Sequence, residues 1–304
     1  MKNKVCIIAL MLCVVFMFSA CGCGSSSPTQ PATEKTDLQT YDEAVTLISN
    51  EQYEEAYYLL KDIEDFDKAS ELLKNFLVTE KECMTTNSGS TYTLETTTNS
   101  DGTVVKEEMF DFDGSHTLCE YEIGSDGVVI ASKIDNDGYI SNWEYSYDEN
   151  GNCVKEDGID TDGNKGAYVY EYDENNNCIK ETYSDASGEV VKTFTYDEDN
   201  NLIKEEYNAP FGIYYVIEDF YNADGKKVKT TWSDSSGSSW VSENLYDDNG
   251  NISQNILTEG DYVETTVFTY YADGKVKTAT TSGADGEETV TEYSYETIIT
   301  YVEN

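Results

Sequence analysis

Apolar and small residues between Leu38 and Phe76 recur at two spacings. They fall at Tyr41, Ala44, Leu47 and Ile48, then Tyr53, Ala56, Leu59, Leu60 and Ile63, then Phe66, Ala69, Leu72, Leu73 and Phe76. Steps of three and four predict three short helices, with breaks at 49–52 and 64–67. Beyond Thr79 the period becomes two, in stretches such as "KGAYVYEY", "EVVKTFTY" and "SSWVSENLY" that favour β-strands. Gly residues at 102, 114, 127, 138, 151, 163, 188, 212, 225, 237, 250, 260, 274 and 286, with Asn176 and Asn200 in the two gaps, mark a turn about every 12 residues. Most follow Asp, Asn or Ser, which tolerate the positive φ of a hairpin turn.

The strands copy one another. "YDENGNCVKE" at 147–156 returns at 172–181 as "YDENNNCIKE", so two strands and two turns make one repeat of about 25 residues. The predicted fold is mainly β: a long antiparallel meander of hairpin repeats over 80–304, behind a small three-helix module at 38–77. Alternation puts Trp143, Tyr145 and Tyr147 on one side of their strand and Tyr168, Tyr170 and Tyr172 on the same side of theirs, with Phe194 and Tyr196 continuing the set. An aromatic stripe then crosses the sheet. Its rings either pack on one another or meet a ligand, and both readings stay open.

The repeat unit, Tyr-Asp, two residues, Gly-Asn, an apolar residue and Lys-Glu, resembles the YD repeats of Rhs proteins. It recurs at Tyr147, Tyr172, Tyr196, Tyr221 and Tyr246 and, degraded, at Tyr270, and the likeness covers roughly 110–295. The resemblance implies an array that winds into a shell around a toxin, with carbohydrate binding as a further property. This array is expected to be too short to close a shell, with no toxin domain after Asn304. "YYADGKVK" is similar to MORN-type repeats of the same period. "NEQYEEAYYLLKDI" resembles the turn and second helix of a tetratricopeptide repeat, with Tyr53 and Ala56 at the close approach. One such unit implies a cap, not a peptide groove.

The first residues read as an address. Lys2 and Lys4 precede the apolar run Val5–Phe18, and Ser19-Ala20 lead into Cys21. Phe18-Ser19-Ala20-Cys21 resembles the lipobox of bacterial lipoproteins. That resemblance implies a signal peptide over 1–20, cleavage before Cys21 and acylation of its thiol. Residues 21–37 then form a flexible spacer rich in Gly, Ser, Thr and Pro. The expected location is the outer face of the cytoplasmic membrane, held by lipid, because two acyl chains give stable anchoring.

Composition narrows the function. The chain has 304 residues with 19 basic against 60 acidic residues, a net charge of -41, and every basic residue is Lys. That excludes nucleic acid and anionic lipid headgroups as partners, which need clustered cations. Tyr contributes 25 residues against 10 Phe and 3 Trp, which suits half-exposed sheet surfaces. No catalytic residue stands out: His116, the single His, follows a turn in "DGSHTL" with no nucleophile near it, and no carboxylate pair can be singled out. Turn aspartates such as Asp160 and Asp162, or Asp135 and Asp137 with Glu144, read as hairpin chemistry, because the calcium-loop positions around them are filled by Gly158, Val169 and Lys133. No metal or cofactor is expected. Cys153 and Cys178 share the slot of Leu202, Ile252 and Val276 and read as apolar fillers; alternate strands lie too far apart for a disulfide between them. Cys83 and Cys119 belong to no motif.

The reading that follows is a non-enzymatic binding surface for a glycan or a surface protein. Its candidate ligand-facing rings are Trp143, Tyr145, Tyr147, Tyr168, Tyr170, Tyr172, Trp232 and Trp240. The alternatives are a structural spacer without a ligand and an enzyme acting on wall polymers.

Overall fold

The computed structural model describes residues 35–284 and 286–303; the signal segment, Cys21 and most of the spacer lie outside the described residues. Three helices come first: α1 (Asp37–Ser49), α2 (Tyr53–Lys61) and α3 (Asp67–Leu73). Ala44, Ala56 and Ala69 are fully buried where the helices approach, and Leu60 and Leu73 fill between them. The core does not stop at the helices. Phe76, Ile299 and Tyr301 from the sheet join it, with Tyr53 stacked on Tyr301 at 5.8 Å between ring centroids. Phe76 itself opens a strand and is not a helical residue. It lies three residues after Leu73, so the helical spacing runs past the true boundary.

Eighteen strands follow. The first six are β1 (Phe76–Thr86), β2 (Thr91–Thr98), β3 (Val104–Phe110), β4 (His116–Ile123), β5 (Val129–Asn136) and β6 (Tyr139–Tyr147). The next six are β7 (Cys153–Asp160), β8 (Lys165–Tyr172), β9 (Cys178–Asp185), β10 (Gly188–Tyr196), β11 (Leu202–Ala209) and β12 (Ile213–Tyr221). The last six are β13 (Lys227–Asp234), β14 (Ser239–Tyr246), β15 (Ile252–Glu259), β16 (Tyr262–Tyr270), β17 (Val276–Ser282) and β18 (Glu288–Tyr301). All sixteen turn markers adopt positive φ, from 57° at Gly260 to 139° at Gly188. Gly89, between β1 and β2, is a further such turn, with φ 85°.

Each strand pairs antiparallel with the next, and β18 pairs with β1 from Phe76↔Tyr301 to Thr86↔Thr291, so the meander closes into a barrel. The array, expected to be too short to close a shell, is long enough to close on itself as a barrel. A ring needs only a strand at each end able to meet, and β1 and the long β18 supply eleven residue pairs of register.

Register carries one face all the way round. Trp143 lies opposite Gly158 and Gly158 opposite Gly166; Glu156 opposite Tyr145 and Tyr168; Tyr168 opposite Tyr183. The same face continues through Tyr207, Tyr215 and Ile217 to Trp232 and Trp240. Along β6, β8 and β14 the positions of this face, Tyr139 at the strand start excepted, are half-buried while most of their alternates are exposed. Side chains converge on the inside of a closed sheet and diverge on the outside, so the aromatic face is the concave one. A barrel of 16–18 strands is wide enough to leave a water-filled channel.

The YD motif has a physical explanation. At each of its copies the ladder slips by one residue beside the Tyr, as at Ser146/Tyr147 and Glu171/Tyr172. On the neighbouring side the ladder stops short: β7 and β8 pair only as far as Lys155↔Val169, leaving the carbonyl of Cys153 without a partner from β8. The Tyr172 hydroxyl donates to that carbonyl at 2.7 Å. Tyr147 serves Val129 at 2.6 Å, Tyr196 serves Cys178 at 2.9 Å and Tyr221 serves Leu202 at 2.9 Å. Tyr246 and Tyr270 complete the row on Lys227 and Ile252. The following Asp or Asn side chain accepts backbone N–H groups inside the turn: Asp148 from Asn150 and Asn152, both at 2.9 Å, and likewise Asp173, Asp197, Asn222 and Asp247. Asn152 and Asn177 each reach the next turn, at Asn176 and Asn200, tying the rim together. Tyr172→Phe therefore leaves one half-buried carbonyl unpaired, and a urea titration of the variant is expected to read a loss of about 1 kcal/mol.

Candidate binding surface

The concave face is arranged in three tiers. The YD tyrosines line the rim from which β1 starts and at which β18 ends, the rim that also carries the helices. A middle tier holds carboxylates: Glu107, Glu156, Glu181, Glu205 and Asp219. Towards the opposite rim lies an aromatic band.

The carboxylates are held by neighbours on the same face. Tyr121 donates to Glu107 at 2.5 Å, Tyr170 to Glu156 at 2.7 Å and Tyr215 to Glu205 at 2.9 Å. Lys192 stands 3.3 Å from Glu181. Asp219, 9% exposed, takes Lys227 at 2.7 Å and the Thr230 hydroxyl at 2.6 Å. Burial raises the Glu156 carboxyl above its ordinary range against the lowering effect of the Tyr170 hydrogen bond, and the Glu181 charge adds to the rise. Burial also dominates the tyrosines of this wall: Tyr145 and Tyr168 are pushed up to about 12, and Tyr121, Tyr170 and Tyr215 higher still, with Glu107, Glu156 and Glu205 adding to the burial.

The band is built of ring pairs. Tyr168 lies 5.6 Å from Trp143, 4.7 Å from Tyr183 and 6.2 Å from Tyr170. Tyr207 and Tyr215 stack at 4.5 Å, Tyr215 and Trp232 are 6.4 Å apart, and Trp232 and Trp240 are 6.3 Å apart and nearly parallel at 7°. Two glycines make room for it. A Cβ at Gly158 would meet the Trp143 ring at 2.5 Å, and one at Gly166 would meet Tyr183 at 2.7 Å. Rings laid over paired glycines shield backbone that lacks its own side chains.

The eight candidate rings separate by what their polar atoms do. Tyr147 and Tyr172 spend their hydroxyls on backbone carbonyls, so they close the rim. Tyr145 bonds Ser132 at 2.7 Å, Tyr170 bonds Glu156, and the Trp143 indole reaches Ser141 at 3.2 Å. Tyr168, Trp232 and Trp240 share the wall with Tyr207, and among the described residues no side-chain hydrogen bond forms to any of the four. Tyr183, Tyr207, Tyr215 and the middle carboxylates do not stand out in the sequence. The Lys-Glu pair of the repeat held that signal, since in a strand the Lys and Glu must face opposite sides.

Other candidates fall elsewhere. His116 is on the convex face, 3.0 Å from Glu108 and stacked on Phe110. Asp160 accepts backbone N–H groups of Asp162 and Asn164, and Asp135 that of Gly138. Among the described residues, Cys83, Cys119, Cys153 and Cys178 form no disulfide.

No protein-family model matches the chain, and no curated protein does. Solved structures do. A porin-like protein from Bacteroides uniformis is 13% identical with a TM-score of 0.42, over 72% of this chain and 97% of that one. The TcdB2-TccC3-Cdc42 complex is 12% identical with a TM-score of 0.33, over 66% of this chain. The Photorhabdus luminescens Tc holotoxin pore is 14% identical with a TM-score of 0.29, over 64%. The chain spans only 14% and 13% of those two chains.

Proposed function

We propose that this chain is a lipid-anchored extracytoplasmic protein whose barrel binds a glycan on its concave wall and performs no chemistry on it. The observation that carries the reading is the group of Tyr168, Tyr207, Trp232 and Trp240, rings on an enclosed wall whose polar atoms form no side-chain hydrogen bond among the described residues. Sugar rings offer apolar faces for stacking and hydroxyls for the indole and phenol groups between them. A net charge of -41 selects an uncharged or cationic ligand over an anionic one.

The tether is Cys21, with Lys2, Lys4 and the run Val5–Phe18 as its signal. Membrane association through the barrel wall is disfavoured. Its convex face carries Lys81 with Glu95, Lys106 with Glu108, Lys133 with Glu120, Lys180 with Glu171 and Lys204 with Glu206. A Lys facing lipid near the bilayer midplane costs about 2–4 kcal/mol. A ligand-free scaffold is the second reading, favoured by the use of the YD tyrosines to close the rim.

The test is a binding screen of the full-length protein in detergent against cell-wall glycan fragments. Trp232→Ala and Tyr168→Ala are expected to weaken saturable binding about tenfold each while far-UV spectra stay unchanged. Binding to no fragment, or binding indifferent to both variants, would leave the scaffold reading in its place.

A further inference from the structure

The seam of the barrel is uneven. β17 pairs with β18 only from Thr278↔Glu292 to Ser282↔Glu288, whereas β18 runs on to Tyr301 and is paired there with β1 alone. Residues 293–301 therefore have a ladder on one side only. In an antiparallel strand the N–H and C=O of one residue point the same way, and three contacts fix which way. Asn87 N–H bonds the Val290 carbonyl, and Val302 N–H bonds the Asn75 carbonyl, both on the β1 side. The Tyr271 hydroxyl, from the β16–β17 turn, bonds the Tyr293 carbonyl at 2.9 Å. Even-numbered residues thus face β1 and odd-numbered ones face the notch. Ile299 and Tyr301 pack with the helices, which leaves the backbone groups of Tyr295 and Thr297 directed outward beside exposed Glu296 and Ile298. A cavity of about 320 Å³ lined by Tyr271, Lys277, Thr278, Glu292 and Tyr293 opens at the head of this notch.

We infer that this free edge of β18 is a docking site for an extended basic segment of a partner protein, which adds to the sheet as a further strand. Unpaired edges are templates for strand addition, and main-chain hydrogen bonds supply the affinity while flanking side chains select the partner. The side chains here specify alternation. On the convex face the guest meets Ser294, Glu296 and Ile298, with Glu292 at the head of the notch where the β17 ladder ends, so it carries Lys or Arg beside the two carboxylates; on the concave face it meets Tyr293, Tyr295 and Thr297, so it carries small or apolar residues. The chain's own spacer is a poor occupant, since Pro28 and Pro31 interrupt it. A second copy would bring Glu292 and Glu296 against their own equivalents, on a molecule of charge -41.

The probe is an acetylated nonapeptide alternating Lys and Val, with a Glu–Val peptide as control, titrated into the full-length protein in detergent. Without peptide, the amides of Tyr295 and Thr297 exchange hydrogen faster than those of Ser294 and Glu296. Adding the Lys–Val peptide slows exchange at Tyr295 and Thr297, and it binds at least about tenfold more tightly than the Glu–Val peptide. Thr297→Pro removes an edge donor that β1 does not use, and is expected to abolish binding. Glu292→Lys, an exposed change that leaves every backbone bond in place, narrows the preference between the peptides. Slow exchange at Tyr295 and Thr297 in the free protein, equal binding of both peptides, or a folded Thr297→Pro variant that binds as the parent does would each overturn the inference. None of these results depends on glycan binding.

Discussion

Replacing Phe76 by Ala is expected to lower the free energy of unfolding by about 3–5 kcal/mol, the range for deleting a buried aromatic side chain. Phe76 is fully buried, at 0% exposure, between the helices and the first closing pair of the barrel. Its ring lies 5.6 Å from Tyr57 and 5.1 Å from Tyr301, so it touches a helix and the last strand together. The cavity left behind therefore weakens the joint between module and barrel as well as the closure at β18. In a urea titration, helix and strand signals of the parent should be lost in one transition, and in the variant both should move together. A loss below about 1 kcal/mol, or helices melting alone while the sheet persists, would show that Phe76 does not join the two.

The second large effect is alkaline unfolding. Tyr145, Tyr168, Tyr172 and Tyr295 are pushed up to about 12 by burial, from an ordinary value of 10.0, with nearby carboxylates or thiols adding to the rise. A phenol whose pKa is raised on folding stays neutral in the native state while its unfolded counterpart ionises. The unfolded state then binds fewer protons, and stability falls as pH rises from the unfolded value through the folded one. The stabilisation is fully present below pH 10 and is lost between about 10 and 12. Absorbance of tyrosinate and far-UV dichroism should change together in that window. If most of the 25 tyrosines titrate near pH 10 with the strand signal intact, the wall is solvated and not enclosed. On the acid side two groups of carboxyls oppose each other. The turn residues Asp148, Asp173 and Asp197 are lowered by their Asn side-chain and backbone hydrogen bonds, so what they contribute is lost as pH falls through their native values. Glu156 and Glu82 are raised by burial, so stability falls as pH climbs through theirs.

Local chemistry was well expressed in the sequence. Turn residues announce themselves because positive φ admits few residue types, and all sixteen markers take positive φ, Gly188 as the first residue of β10; the alternation of Trp143, Tyr145 and Tyr147 assigns a face because a strand has period two. Closure was not legible. Nothing in "FLVTEKECMTT" or "EYSYETIITY" distinguishes two edge strands from a closing pair, since that depends on curvature summed over the whole array. The role of the YD tyrosines was hidden for a related reason. Their hydroxyls answer carbonyls on a neighbouring strand some eighteen or nineteen residues away, a contact that appears only when the ladder ends short of the turn. The candidate rings consequently divide into closers such as Tyr147 and Tyr172 and free faces such as Tyr168, Trp232 and Trp240, which one stripe in the sequence cannot separate.

Trp143, Trp232 and Trp240 are the only tryptophans of the chain, and all three lie on the concave wall. Intrinsic tryptophan fluorescence is consequently a direct report on that wall, and titrating the full-length protein with wall glycan fragments tests the account at its centre. The expected result is a saturable spectral shift with protection from an aqueous quencher, lost in Trp232→Ala. Binding detected by another method with fluorescence and quenching unchanged would put the ligand elsewhere and contradict the account.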